Sequence, residues 1–223
     1  MKISVVIPAY NEEKYIKNCL EKLLNQEEKP DEIIVVDNLS TDHTAEIVKK
    51  FDVRLIEART KGIAQARDRG FNAAKNEIIA RCDSDSIVPP DWIKKIKKNF
   101  ADKNIDGLIG PIIYYDLPFK STIYAKIFIH FMNIIQGHHT IIGNNMAISK
   151  TIWEKIRDKV CTDNNIFHED IDLAIHIHKH QGIIKYDPMF ISHTSGRRII
   201  SNPLSFFVQY PIRLIKTLKA RHL

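Results

Sequence analysis

Two carboxylates separated by one serine, Asp83-Ser84-Asp85, follow an apolar run in the segment IIARCDSDSIVPP, residues 78–90. In an extended strand, side chains two apart point the same way, so these acids share a side and repel each other. A cation would relieve that repulsion. Oxygen-only ligands on a turn suit a hard divalent ion such as Mn²⁺ or Mg²⁺, which keeps several waters and bridges substrate phosphates. The same doublet serves equally as an acidic turn capping the helix after Pro90. What decides is the company that the other strand ends bring.

Further polar groups stand at comparable places. Asp37 ends the apolar run DEIIVVD and can accept hydrogen bonds from a base or ribose. Lys61 and Arg67 precede IIARC and can reach phosphates, although a surface placement suits them equally. Glu169 and Asp170 open a helix-period segment, where acids also favour the positive end of the helix dipole. Asp172, His176 and His180 recur every fourth residue, a spacing that a zinc face shares with any wet helix side. No G-x-G-x-x-G follows the first apolar run and no G-x-x-x-x-G-K-[ST] occurs, so a dinucleotide fingerprint or P-loop is excluded.

The elements that position these groups alternate in type. Apolar strand-like runs at 3–8, at DEIIVVD, at VRLIEA and at EIIARC are separated by helix-period segments at 12–25, TAEIVKKF (capped by Thr41 or Asp42) and IAQARDRGFNAAK. Such alternation predicts a mainly parallel sheet covered on both faces, with ligands beyond the carboxyl ends of its strands. That rule brings Pro8-Ala9-Tyr10-Asn11-Glu12, Asp37-Asn38 and Asp83-Ser84-Asp85 together. Beyond them the pattern predicts a helix from Asp91-Trp92 to Phe100 and a strand from Gly107 to Tyr115. It also predicts an apolar helix over 121–135, a strand after Gly143-Asn144 and another through IIKYDPMFISH.

The 223 residues carry a net charge of +6, and its placement is uneven. From Arg197 onward there are six basic residues and no acidic ones, whereas residues 1–196 are neutral. A localised basic tail points to an anionic partner. Its apolar positions Leu204, Phe207, Val208, Ile212, Ile215 and Leu218 share a face opposite Arg213, Lys216 and Arg221, with Pro211 expected to divide it into two helices. Such a tail either seats on a membrane surface or packs on the domain. The 121–135 segment, with Tyr124, Phe128 and Phe131, is either core or an exposed lip for a lipid-linked acceptor. Nucleic acid is the weakest partner, because basics and aromatics do not interleave along a groove-like surface. Three dispersed cysteines, no signal-like start and no apolar run of roughly 18 residues lead to an expected cytoplasmic protein, peripheral on the membrane at most.

Taken in order, SVVIPAYNEEKYIKNCLEKLLNQ, DEIIVVDNLSTDHTAEIV, ARDRGFNAAKNEIIARCDSDSIVPPDWI, GNNMAISK and HEDIDLA resemble glycosyltransferase family 2 over about residues 1–195. The resemblance implies an α/β chain of GT-A fold in one catalytic domain, 1–196. Its nucleotide-binding part would cover about 1–115 and its acceptor part about 116–196, with the tail at 197–223. It implies a nucleotide-sugar donor held by Pro8, Tyr10, Glu12 and Asp37, and Asp83 and Arg67, placed around the fourth strand, are added as candidate donor contacts. It further implies Mn²⁺ or Mg²⁺ on Asp83 and Asp85 with His193 as a third ligand, and an inverting displacement with Asp170, or its neighbour Glu169, as general base. The acceptor would be a glycan or a lipid-linked hydroxyl. No Q-x-x-R-W follows Glu169-Asp170, a departure that disfavours a processive polysaccharide synthase. Transfer to a polyprenyl phosphate and a nucleotide-binding module without turnover remain as alternatives.

Overall fold

A computed structural model describes residues 1–102, 104–118, 120–161, 163, 167–202, 204 and 208–222, with the backbone alone at 124, 221 and 222. Phe207 and the side chains of Tyr124 and Arg221, part of the predicted apolar and basic faces, lie outside the described residues. The first half folds as its alternation predicts. Strands β1 (Ile3–Ala9), β2 (Glu32–Asp37), β3 (Arg54–Glu57) and β4 (Ile78–Cys82) pair in parallel in the order β3-β2-β1-β4. Between them run α1 (Ile16–Leu24), α2 (Thr44–Val48) and α3 (Ile63–Ala73). Helix α1 buries Ile16, Cys19, Leu20 and Leu23, the stripe that a 3.6-residue period lays against a sheet. Asp42 Oδ1 accepts the amide of Thr44 at 3.0 Å at the head of α2. A Cβ on Gly70 would stand 2.3 Å from Val6 Cγ1, so only glycine lets α3 lie this close to β1.

The second half departs from the pattern in instructive ways. After α4 (Trp92–Phe100) come β5 (Gly107–Ile109), β6 (Ile112–Tyr114), α5 (Ile123–Gln136), β7 (Asn145–Ser149), α6 (Lys150–Ile156) and α7 (Glu169–Lys179). The chain closes with β8 (Ile184–Tyr186), β9 (Ser192–Thr194), α8 (Arg197–Ser201) and α9 (Tyr210–His222). The sheet continues past β4 as β4-β7-β5-β8, with β7 antiparallel to both neighbours. Each of the two expected late strands is in fact two. Pro111 and Pro188 lack the N–H that a ladder requires, so the chain leaves the main sheet there, and β6 pairs with β9 in a separate ribbon.

Two faces result. Ile78, Ala80 and Cys82 of β4 join the core under α1 and α4, whereas Ile79 joins the opposite core with Trp153 of α6 and Leu173 of α7. By strand parity, Arg81 and the acids beyond it belong to that second side. In the tail, Pro211 does not divide a helix. It stands in the first turn of α9, where a missing N–H leaves nothing unsatisfied. Leu214 and Leu218 of α9 pack against Ile171 and Ile175 of α7 and Met132 of α5. Thr217 Oγ1 accepts the His168 amide at 2.8 Å. The inner face of the basic tail is therefore packed on the domain.

Candidate active site

The chain runs β1, β2, β3 to one side and then places β4 on the other side of β1. Open parallel sheets bind ligands at such a reversal, outside the carboxyl ends of the two diverging strands. A cavity of about 530 Å³ lies there, lined among others by Pro8, Tyr10, Glu12, Asn38, Ser84 and Arg197. Pro8, Tyr10 and Glu12 thus stand where a nucleotide was expected. Asp37 stands next to that wall, its Oδ1 accepting the Ser40 amide at 3.2 Å, and the neighbouring Asn38 takes the lining position. Lys61 Nζ donates to the Tyr10 hydroxyl at 2.6 Å at the edge of this site.

The acidic doublet sits beside this cavity. Asp85 is 6% exposed, and burial together with the charge of Asp83 pushes its carboxyl up to about 6. Its Oδ1 accepts the Thr194 hydroxyl at 2.9 Å, and its Oδ2 lies 3.2 Å from Arg197 Nη2. The same nitrogen donates to both carboxylate oxygens of Glu12, and the guanidinium rests 4.1 Å over the Tyr15 ring. A cation therefore already stands where sequence chemistry asked for one. His193 does not complete a metal triad. Its neighbour Thr194 turns to Asp85, and strand parity sends His193 the other way. Among the described residues no three His, Cys, Asp or Glu side chains cluster as metal ligands. Two carboxylates facing a cation slot still fit a hard divalent ion that takes its remaining ligands from water and phosphate.

A second cavity, also about 530 Å³, opens on the other side of the doublet and holds Arg81, Asp83, Asp85, Glu169 and Asp170. Arg81, 2% exposed, is the hub: Nη1 lies 2.8 Å from Glu169 Oε1 and 3.5 Å from Asp170 Oδ1, and Nη2 lies 3.7 Å from Asp83 Oδ1. Arg67, expected to reach phosphates or lie on the surface, is wholly buried. Its Nη1 holds Glu169 Oε2 at 2.9 Å, and its other nitrogens face Asp68. These arginines separate the two acids electrically. Burial alone would raise Glu169, but Arg81 and Arg67 outweigh it and bring it down to about 2. Asp170 is pushed up to about 8 by burial and by the adjacent Glu169 charge. Glu169 is thus held as an anion by the arginines, whereas Asp170 keeps its proton to a higher pH than an ordinary carboxyl, the kind of shift that marks a candidate acid or base.

Gly143 completes the arrangement. Its amide donates to Asp170 Oδ2 at 3.0 Å, and a Cβ there would lie 2.6 Å from Asp170 Oδ1 and 2.8 Å from Arg81 Cζ. Both neighbours are locked by ion pairs, so neither can yield cheaply. Gly143→Ala is expected to lower stability by about 1–3 kcal/mol through overpacking against these two side chains. Thermal melts of the variant beside wild type check this.

The i, i+4 histidine series does other work. Asp172 Oδ2 accepts the Cys161 amide at 2.6 Å and its Oδ1 lies 3.7 Å from His176 Nε2, whereas His180 Nε2 meets Lys159 Nζ at 2.6 Å, so the third member of the series turns elsewhere. The residue that sequence reasoning missed is Arg81. Its signal was a charged side chain inside an apolar strand, on the same parity as Asp83.

The sequence model of Glycosyl transferase family 2 matches residues 4–168. The glycosyltransferase GlyG of Streptococcus pneumoniae is 40% identical over 120 residues, 51% of this chain and 40% of its own length. AglE of Haloferax volcanii is 30% identical over 72% of this chain and 54% of its own length. The chain spans well under two thirds of such relatives, and only 22% of GlyA of S. pneumoniae, to which it is 27% identical over 69% of its own length. Among solved structures, the mannosyltransferase PcManGT from Pyrobaculum calidifontis, in complex with GDP-Man and Mn²⁺, superposes with a TM-score of 0.77. It is 19% identical, covering 98% of this chain and 63% of that one. S. aureus TarS with UDP-GlcNAc gives 0.71 at 21% identity, covering 88% and 59%. These likenesses establish the fold as GT-A. With the family model matched from the first strand to the threshold of α7, the chain belongs to glycosyl transferase family 2.

Proposed function

We propose that this chain moves a sugar from a nucleoside-diphospho-sugar to an acceptor hydroxyl, with inversion at the anomeric carbon. The observation that carries the reading is that Asp83 and Asp85 line the cavity that also holds Asp170, while Ser84 between them lines the cavity at the strand reversal. The nucleotide would lie along Pro8, Tyr10, Glu12 and Asn38, with Arg197 and Arg198 beside the diphosphate. The acceptor would enter the second cavity, where Asp170 takes its hydroxyl proton as the new bond forms. Arg81 stabilises the anionic side of the network without moving. A divalent ion held by Asp83 and Asp85 would neutralise the charge growing on the departing diphosphate. The Mn²⁺ and nucleotide-sugar complexes of structural neighbours support this arrangement.

Arg198 and Arg213 also line the second cavity, which favours one alternative acceptor, a lipid phosphate that is already ionised and needs no base. The donor half of the reading is tested by thermal stabilisation. With Mn²⁺ and a matching UDP-, GDP- or dTDP-sugar at about 100 times its Kd, mass action adds about 2.7 kcal/mol. That raises Tm by about 5–10 °C for a chain of this size. Asp85→Ala is expected to lose the Mn²⁺-dependent part. A flat response to every donor would sink the proposal.

A further inference from the structure

All but four of the large apolar side chains exposed among the described residues lie between residues 123 and 135 or between 200 and 215. Scattered exposed apolar groups are ordinary, but concentration on particular helices is not. Helix α5 presents Ile123, Ile127, Phe131 and Ile134, each more than half exposed, while Ile129 and Met132 on its other side are buried. The α8–α9 arm presents Ile200, Leu204, Ile212 and Ile215. The two sets meet at the second cavity. Phe128 of α5 and Tyr210 of α9 line its mouth and are themselves 39% and 37% exposed. Its walls continue inward as Ile112, Ile141, Ile171 and Ile199. An apolar path thus runs from the outer surface to the acids.

Charge chooses the occupant. Residues 117–153 hold three lysines and no acid, and 197–223 hold six basic residues and no acid. Lys126, Lys216 and Lys219 are exposed on the same helices as the apolar groups. Apolar side chains edged with cations suit the boundary of an anionic bilayer, where the first enter the acyl region and the second meet headgroups. Among the described residues no helix is long and apolar enough to cross a membrane, so the surface would seat rather than span.

Building on the proposed transfer reaction, we infer that α5 and the α8–α9 arm form one seat on an anionic membrane, and that the acceptor is an amphiphile. Its head enters the second cavity between Phe128 and Tyr210, and its hydrocarbon stays in the bilayer. Vesicle co-sedimentation with neutral phosphatidylcholine and with a mixture containing phosphatidylglycerol tests this. Wild type is expected to bind the anionic vesicles and to leave the neutral ones largely free. Ile127→Glu with Phe131→Glu, and separately Lys216→Glu with Lys219→Glu, should each weaken binding by about tenfold or more. Donor-induced thermal stabilisation, measured without vesicles, should be unchanged in both variants. No vesicle binding by wild type, or binding that neither variant alters, would overturn the inference. So would a concentration-dependent dimer, dissociated by the α5 charges, that binds no lipid. Vesicle binding without any donor response would instead count against the transfer reading and leave the membrane seat standing.

Discussion

Replacing Asp170 with Asn is expected to lower kcat by about 10²–10⁴-fold, the range that a positioned proton acceptor contributes, while donor affinity stays close to that of wild type. The amide keeps the shape and the Gly143 contact but accepts no proton. The pH dependence gives an independent reading. Asp170 acts only when ionised, and burial beside Glu169 places its titration at about 8. In wild type, kcat/KM should therefore climb about tenfold per pH unit below that value and level off above it, and the variant should lose this limb. Steady-state kinetics from pH 6 to 9.5 check both points. Full activity in the variant would reassign the acceptor to a group that arrives ionised, such as a lipid phosphate.

The second large effect is on stability. Arg81→Met removes the cation that faces Glu169, Asp170 and Asp83 from inside the domain. Glu169 keeps Arg67, but the site loses one of the two charges that hold a buried carboxylate down to about 2. Breaking a buried pair from one side costs about 3–5 kcal/mol, or about 6–20 °C in Tm for a chain of this size. Adding Glu169→Gln to Arg81→Met should recover part of that loss, since the stranded anion is then gone. Thermal melts of the single and double variants decide the matter. If the single variant melts within a degree of wild type, the network is not the keystone described above.

How much of this could be read from residues alone depended on the range of the interaction. The strands β1 to β4 were legible because apolar runs and helix-period stripes are local signals, whereas their order β3-β2-β1-β4 was not. The rule for strand ends brought the segment Pro8 to Glu12 and the acidic doublet together, and the family resemblance singled out Pro8, Tyr10 and Glu12 within that segment. Arg81 went unread although its type stands out in IIARC, and its partner Glu169 is 88 residues away, a distance no pattern bridges. Glu169 and Asp170 looked alike at a helix start, and only the arginines that approach one of them tell their roles apart. His193 and Thr194 differ by a single step of strand parity, fixed by where β9 meets Ile87 rather than by anything local. Helix α6 went unread although Ser149 accepts the Ile152 amide at its head, because seven residues make too short a stripe.

Arg197 serves the resting protein as a tethered placeholder. With its guanidinium in the berth between Glu12 and Asp85, the vestibule is electrically settled before any visitor comes. On the proposed reading, an ion held by Asp85 would take the place of this guanidinium, one cation for another. Because this residue also opens α8, whose Arg198 and Ile199 line the second cavity, its immediate neighbours belong to both cavities.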